Sequence, residues 1–256
     1  MIRNCFALLF ALVVAVPSPA QAVSATIFPS PALPGQTLQF IVTAIQPIQL
    51  PSSCAYANIR AISPSGPPMP LGIFCLTVIT PLVAGQSLSQ SISTAGFAPG
   101  TYWVEVRYFG VGAGITSEFF CFELRSPITA GPILAAQTVA QQGTNLLMSL
   151  SDPPSAGQLY IAAASFTTNT GIPVPGFISP LCLDPDALFN LSYPAALPGL
   201  FSNFSGALDA SGLATGIGIS IPVAPVLTNR GLHVQAVTFG GIGPRISNGL
   251  SFTISP

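Results

Sequence analysis

The chain reads as an all-β protein built from two antiparallel β-sandwiches placed one after the other. Three observations lead there. Apolar residues alternate with period two in short runs, 27 prolines and 24 glycines punctuate those runs, and no long segment carries a helical apolar stripe. Alternation places side chains on opposite faces of a strand, so that one face is buried. Proline fixes φ and lacks a backbone N–H, which stops helices, and with glycine it marks turns. Short strands between such turns read as a sandwich or barrel.

The first 22 residues stand apart. Arg3 precedes the apolar run Cys5–Val16, Pro17 and Pro19 break it, and Ala20-Gln21-Ala22 follows. That order is the signature of a secretory signal peptide, cleaved after Ala22. Cys5 lies before the apolar core and is not placed for lipid attachment. The run is shorter than the roughly 20 residues a spanning helix needs. No later stretch is longer, so no integral membrane span is expected and the localisation expected is secreted or cell surface. Removing residues 1–22 leaves five arginines against seven acids and no lysine. No basic patch remains to neutralise phosphates, which argues against nucleic acid as a partner. Half the residues are apolar, so low charge here does not mean disorder.

The first sandwich is expected over 23–126. Strands are predicted near 25–29, 36–45, 54–63, 71–80, 87–94, 101–109 and 117–125, the seven of an Ig-like sandwich. In Thr37–Ile45 the inward set is Leu38, Phe40, Val42 and Ala44. In Thr101–Phe109 it is Tyr102, Val104, Val106 and Tyr108, leaving Trp103, Glu105 and Arg107 outward. The run Ser126–Pro132 (SPITAGP) marks a break. The second sandwich, 127–256, has strands predicted near 134–140, 144–151, 158–166, 187–193, 203–209, 213–221, 232–239 and 249–254. Asp209-Ala210-Ser211-Gly212 reads as a hairpin turn. Segments 167–186 and 194–202 read as long surface loops.

Four cysteines remain after residue 22: Cys54, Cys75, Cys121 and Cys182. Export favours disulfides, and four cysteines allow three pairings. Cys54 and Cys75 flank the turn Ser63–Pro70 on matching outward phases, so their bridge is expected. Cys75–Cys121 is a rival, and Cys121–Cys182 would tie the two halves together.

The chemistry-bearing residues are few. His233, the sole histidine, lies in phase with Gln235 on a strand. No G-x-S-x-G elbow singles out a serine, and no cysteine spacing matches zinc. Asp184-Pro185-Asp186 offers two carboxylates, a weak start toward the six to eight oxygens of calcium and a common turn sequence. Glu105 and Glu123 are expected to face Arg107 and Arg125 as solubilising charges. Asn190-Leu191-Ser192 and Asn203-Phe204-Ser205 fit the glycosylation pattern of a eukaryotic secretory host. No catalytic residue, cofactor or metal is expected.

The runs Gln158–Phe166, Thr170–Gly176, Phe204–Thr215 and Leu232–Thr238 resemble a module of secreted Ig-like β-sandwich proteins of planctomycete-type bacteria. The first half, through Phe97–Val106, is similar to generic bacterial Ig-like domains. The resemblance implies export and an Ig-like sandwich, and it supplies no catalytic residue. The function expected is therefore a non-catalytic extracellular protein with a structural or adhesion role, its partners envelope components. The alternative is a glycan-binding module using Trp103, Phe109 and Phe119 as an aromatic platform. Against that platform stands a contact between the halves, where aromatics are also common.

Overall fold

The computed structural model describes residues 21–28, 32–51, 57–61, 79–110, 114–124, 131–174, 180–193, 196–240 and 243–256. Cys54, Cys75 and their expected bridge lie outside the described residues, as does most of the expected strand near 71–80.

The fold is nearly all β, in several antiparallel sheets. The first half supplies β1 (Val23–Phe28), β2 (Thr37–Ala44), β3 (Ile48–Pro51), β4 (Ala57–Ala61), β5 (Ile79–Leu82), β6 (Ser87–Ser93), β7 (Gly100–Gly110) and β8 (Ile115–Leu124). One sheet runs β1-β2-β6; the other runs β4-β7-β3-β5, with β8 paired to the free side of β7. The second half supplies β9 (Ile133–Ala136), β10 (Asn145–Ser151), β11 (Leu159–Ser165), the helix α1 (Ala187–Ser192), β12 (Phe201–Ser202), β13 (Ser205–Ala207), β14 (Leu213–Ser220), β15 (Gly231–Gly240), β16 (Gly243–Ile246) and β17 (Leu250–Thr253). Its sheets run β12-β14-β10-β9 and β13-β11-β15-β16, with β17 also on β15. Among the described residues every named sheet draws its strands from one half.

Each half closes over its own apolar cluster. The first gathers Leu38, Phe40, Val42, Val104, Val106 and Phe120. The second gathers Leu146, Met148, Leu150, Ala164, Ile217 and Val234. The period-two reading of β2 holds, with Leu38, Phe40, Val42 and Ala44 all buried. Across the halves β1 packs on β17, and the Ser24 and Thr253 hydroxyls hydrogen-bond at 3.0 Å.

Four expectations are corrected. The strand expected near 187–193 is instead α1. Asp186 caps it, its carboxylate accepting the Phe189 N–H at 2.9 Å, which satisfies one of the donors a helix start leaves unpaired. The turn after Asp209 joins no hairpin. Its carboxylate accepts from the Ser211 and Leu213 N–H groups, but β13 and β14 on either side belong to different sheets. The turn is a corner of the sandwich, and Gly212 sits there at φ +79°, a region an L side chain resists. The described parts of segment 167–186 are not a surface loop, since Thr167, Thr168, Leu181, Cys182, Leu183 and Asp184 are buried. Finally, the outward phase of β7 is solvated only at Arg107 and beyond. Trp103 is 0% exposed and Glu105 only 4%.

Candidate functional site

The segment before α1 and the outer face of β7/β8 explain one another. Trp103 on β7 and Cys121 on β8 are directly opposed across an antiparallel ladder, so they share the face turned away from the first core. Cys121 is disulfide-bonded to Cys182, with the Cα atoms 5.4 Å apart. Trp103, Cys121 and Cys182, with Phe119 alongside, form a small buried cluster of their own. The disulfide therefore joins the halves, and the indole lies beside it.

The backbone edge of β8 is met by the same segment. Among the named strands β8 pairs with β7 alone, and only its last residue, Leu124, also bridges Ala32. On its other side the Thr168 hydroxyl donates to the Phe119 carbonyl at 3.0 Å and accepts the Cys121 N–H at 3.3 Å. The Asn169 side-chain carbonyl accepts the Phe119 N–H at 2.9 Å. The Trp103 Nε1–H donates to the Thr168 carbonyl at 3.2 Å. Gly171, at φ +72°, lets the segment pass the indole: a Cβ there would lie 3.4 Å from Trp103 Cζ2 and 3.1 Å from the Leu181 carbonyl.

Asp184 organises this segment. Its carboxylate accepts from the Thr167 and Thr170 hydroxyls at 2.6 and 2.8 Å. It also accepts from the backbone N–H groups of Asn169, Thr170 and Gly171. Burial pushes this carboxyl up, but the hydrogen bonds outweigh it and hold the group below its ordinary range. Asp186 differs: burial raises it despite the Phe189 and Phe166 N–H groups it accepts. Both carboxylates of the Asp-Pro-Asp run face N–H and O–H donors, the opposite of what a calcium ligand shell asks. Among the described residues no three His, Cys, Asp or Glu side chains gather as a metal donor set.

His233 lies on the face of β15 that this segment covers. It is 1% exposed and its Nδ1 lies 2.9 Å from the Ser251 hydroxyl, the residue directly opposite on β17. A serine–histidine pair is one part of a nucleophilic site, but a base needs an orienting partner and an approach for substrate. His233 Nε2 has no hydrogen-bond partner, and Asp184 acts on the ring only through space. Burial pushes the imidazole down to about 4, so it is neutral at pH 7. Gln235, in the same phase, accepts the Cys182 N–H at 2.7 Å and donates to the Ser247 carbonyl at 2.8 Å. Gln235 thus braces the covering segment, while the His233 ring packs 6.5 Å from that of Phe120 on β8.

Of the aromatic platform, Trp103 is wholly buried and offers no ring face to a sugar, while Phe109 and Phe119 are half-buried. Glu105 meets Arg107, through Nε and Nη2 at 3.0 and 3.2 Å, along β7 rather than across the sheet, with the carboxylate buried and the guanidinium half exposed. Sequence reasoning did not single out Thr168, Asn169, Arg230 or Glu118. The signal that could have found the seam is the lone cysteine in each of two otherwise separate segments, Cys121 and Cys182.

No family model matches the chain, and no curated protein matches it. The solved structure of red sea bream transglutaminase is similar over 93% of this chain and 32% of that one, at 10% identity and a TM-score of 0.27. A likeness that slight carries no argument. Among the described residues no helix is long and apolar enough to cross a membrane.

Proposed function

We propose that this is an exported, non-catalytic β-sandwich protein of the cell surface or extracellular space, with a structural or adhesive role. The observation that supports it best is the seam. The residues with most chemistry to offer, namely Trp103, Cys121, Cys182, Asp184 and His233, are turned into the contact between the halves and engaged there. A protein that spends them on its own rigidity works through its surface. That surface is poor in charge and rich in hydroxyls, amides and backbone groups. The sequence features of the N-terminus support export, and a disulfide suits an oxidising compartment.

The test combines fractionation with binding. The protein should be retained with the envelope or matrix of its host. A glycan array should show no saturable binding that Phe119→Ala abolishes. Saturable glycan binding lost in that variant would favour the glycan-binding reading. Turnover of a peptide, ester or glycoside substrate that Ser251→Ala removes would overturn the non-catalytic reading altogether.

A further inference from the structure

Glu118 is a carboxylate in an unusual position. It is on β8, 8% exposed, and the groups that hydrogen-bond to it among the described residues are neutral. The Tyr108 hydroxyl donates to its Oε1 at 2.8 Å, and the Ala22 N–H donates to the same oxygen at 2.7 Å. The Val23 N–H also bonds to this carboxylate. The charged group that faces it from the second half is Arg230, which acts through space and is shared with Asp186 while its guanidinium lies 4.6 Å over the Phe166 ring. Buried carboxylates are costly unless a cation is at hand.

The nitrogen of Val23 is the one that export would change. Val23 is the first residue of β1, is 0% exposed, and pairs with Ala44 of β2. We propose that cleavage after Ala22 creates at Val23 an α-ammonium that stays buried against the Glu118 carboxylate and pins β1 to β8. The proposal rests on the export reading above. The chemistry is amide hydrolysis. Water adds across the Ala22–Val23 bond, Ala22 leaves as a carboxylate, and the freed Val23 amine takes up the proton. A peptide N–H already in contact becomes a cation with two further donors, so no rearrangement is required. Gln21 leaves with the cut segment, and so does its buried Oε1, which has no partner. Three bonds to Ala22 are lost: its carbonyl's bonds from the Ile45 and Gln46 N–H groups, at 2.8 and 3.5 Å, lie where water can reach them, and its own N–H to Glu118, at 2.7 Å, is one that a new ammonium donor can replace.

In the uncut chain, burial pushes Glu118 up to about 7 against the Ala22, Tyr108 and Val23 hydrogen bonds. Its folded value then exceeds its unfolded one, so stability falls as pH rises toward 7 and above. A neighbouring ammonium reverses that sign. The test is a cycle of four proteins: chains starting at Val23 or at Gln21, each with Glu118 or with Glu118→Gln. At pH 7 the substitution should lower the urea midpoint of the Val23 chain and leave that of the Gln21 chain unchanged or higher. Equal effects in both chains would overturn the pair. Should Glu118→Gln fail to fold, the native Val23 chain still decides. Its α-amine should react with acetic anhydride at pH 7 at least roughly tenfold more slowly than in urea, as a buried, charged amine must. Reaction at the unfolded rate sinks the proposal. N-terminal sequencing of the exported protein tests the processing separately. A start other than Val23 removes the pair from the natural protein, whereas a Val23 start without coupling removes the pair alone.

Discussion

A histidine kept neutral inside a sheet makes stability depend on pH in one direction. His233 is pushed down to about 4 by burial, with Asp184 pulling weakly the other way. Its unfolded value is near 6.5. The folded state therefore refuses a proton that the unfolded chain accepts. The stability is fully present above about 6.5 and is lost as pH falls toward 4. The ceiling on that loss is roughly 3 kcal/mol. Urea unfolding at pH 7 and pH 5 should show a drop on the order of 1–2 kcal/mol. His233→Gln should remove most of that drop, because Ser251 keeps a hydrogen-bonding partner and nothing titrates. An unchanged drop in the variant would assign it to other groups. Sequence placed His233 and Gln235 on one phase of β15 correctly. It did not show that this phase is buried, because the cover comes from a segment some fifty positions earlier in the chain. Trp103 repeats the lesson: alternation tells which face a side chain takes, and not what lies on that face.

Among elements, long strands with clean alternation were legible. β2 and β7 follow from their own residues, since each buries one face on a local core. The four-residue strands β3 and β16 are too short for a period to appear, and they exist because β7 and β15 offer them partners. Ala187-Leu188-Phe189, apolar and short, does not distinguish a strand from α1, and the Asp186 cap decides the matter. The stretch 167–171 has no repeating structure, and its arrangement rests on the Asp184 carboxylate. Asp184→Asn keeps the shape but replaces an acceptor oxygen with a donor NH₂ facing N–H and O–H groups. It should cost about 2–4 kcal/mol, the range for breaking a buried, charge-assisted network. Trp103 is the chain's one tryptophan, so its emission reports this segment directly. The variant should shift that emission to the red at native pH. An unshifted spectrum with normal stability would show that the segment is held without Asp184.

Across the described molecule, two sets of sheets, each over its own apolar cluster, are joined by the Cys121–Cys182 bond. The break at Ser126–Pro132 was visible as composition, and no named sheet crosses it. The weld was legible only as one of three pairings, since cysteine spacing does not fix connectivity. The Cys121–Cys182 bond closes 61 residues, and the chain-entropy account of such a loop gives roughly 4 kcal/mol. Replacing both cysteines by serine should therefore lower the unfolding midpoint. It should also split the transition: Trp103 fluorescence should change at lower denaturant than far-ultraviolet circular dichroism, as the seam opens before either core melts. Coincident transitions would mean that Thr168, Asn169 and Asp184 hold the seam without the covalent link.

The hydroxyl contact between Ser24 and Thr253 joins the first strand to the last. The described chain thus enters its sheets beside the point where it leaves them. Such a body adds bulk without adding reach. Anything carried at the two ends would emerge side by side, and tension applied between them would load the β1/β17 contact first, with neither sandwich drawn out along its strands.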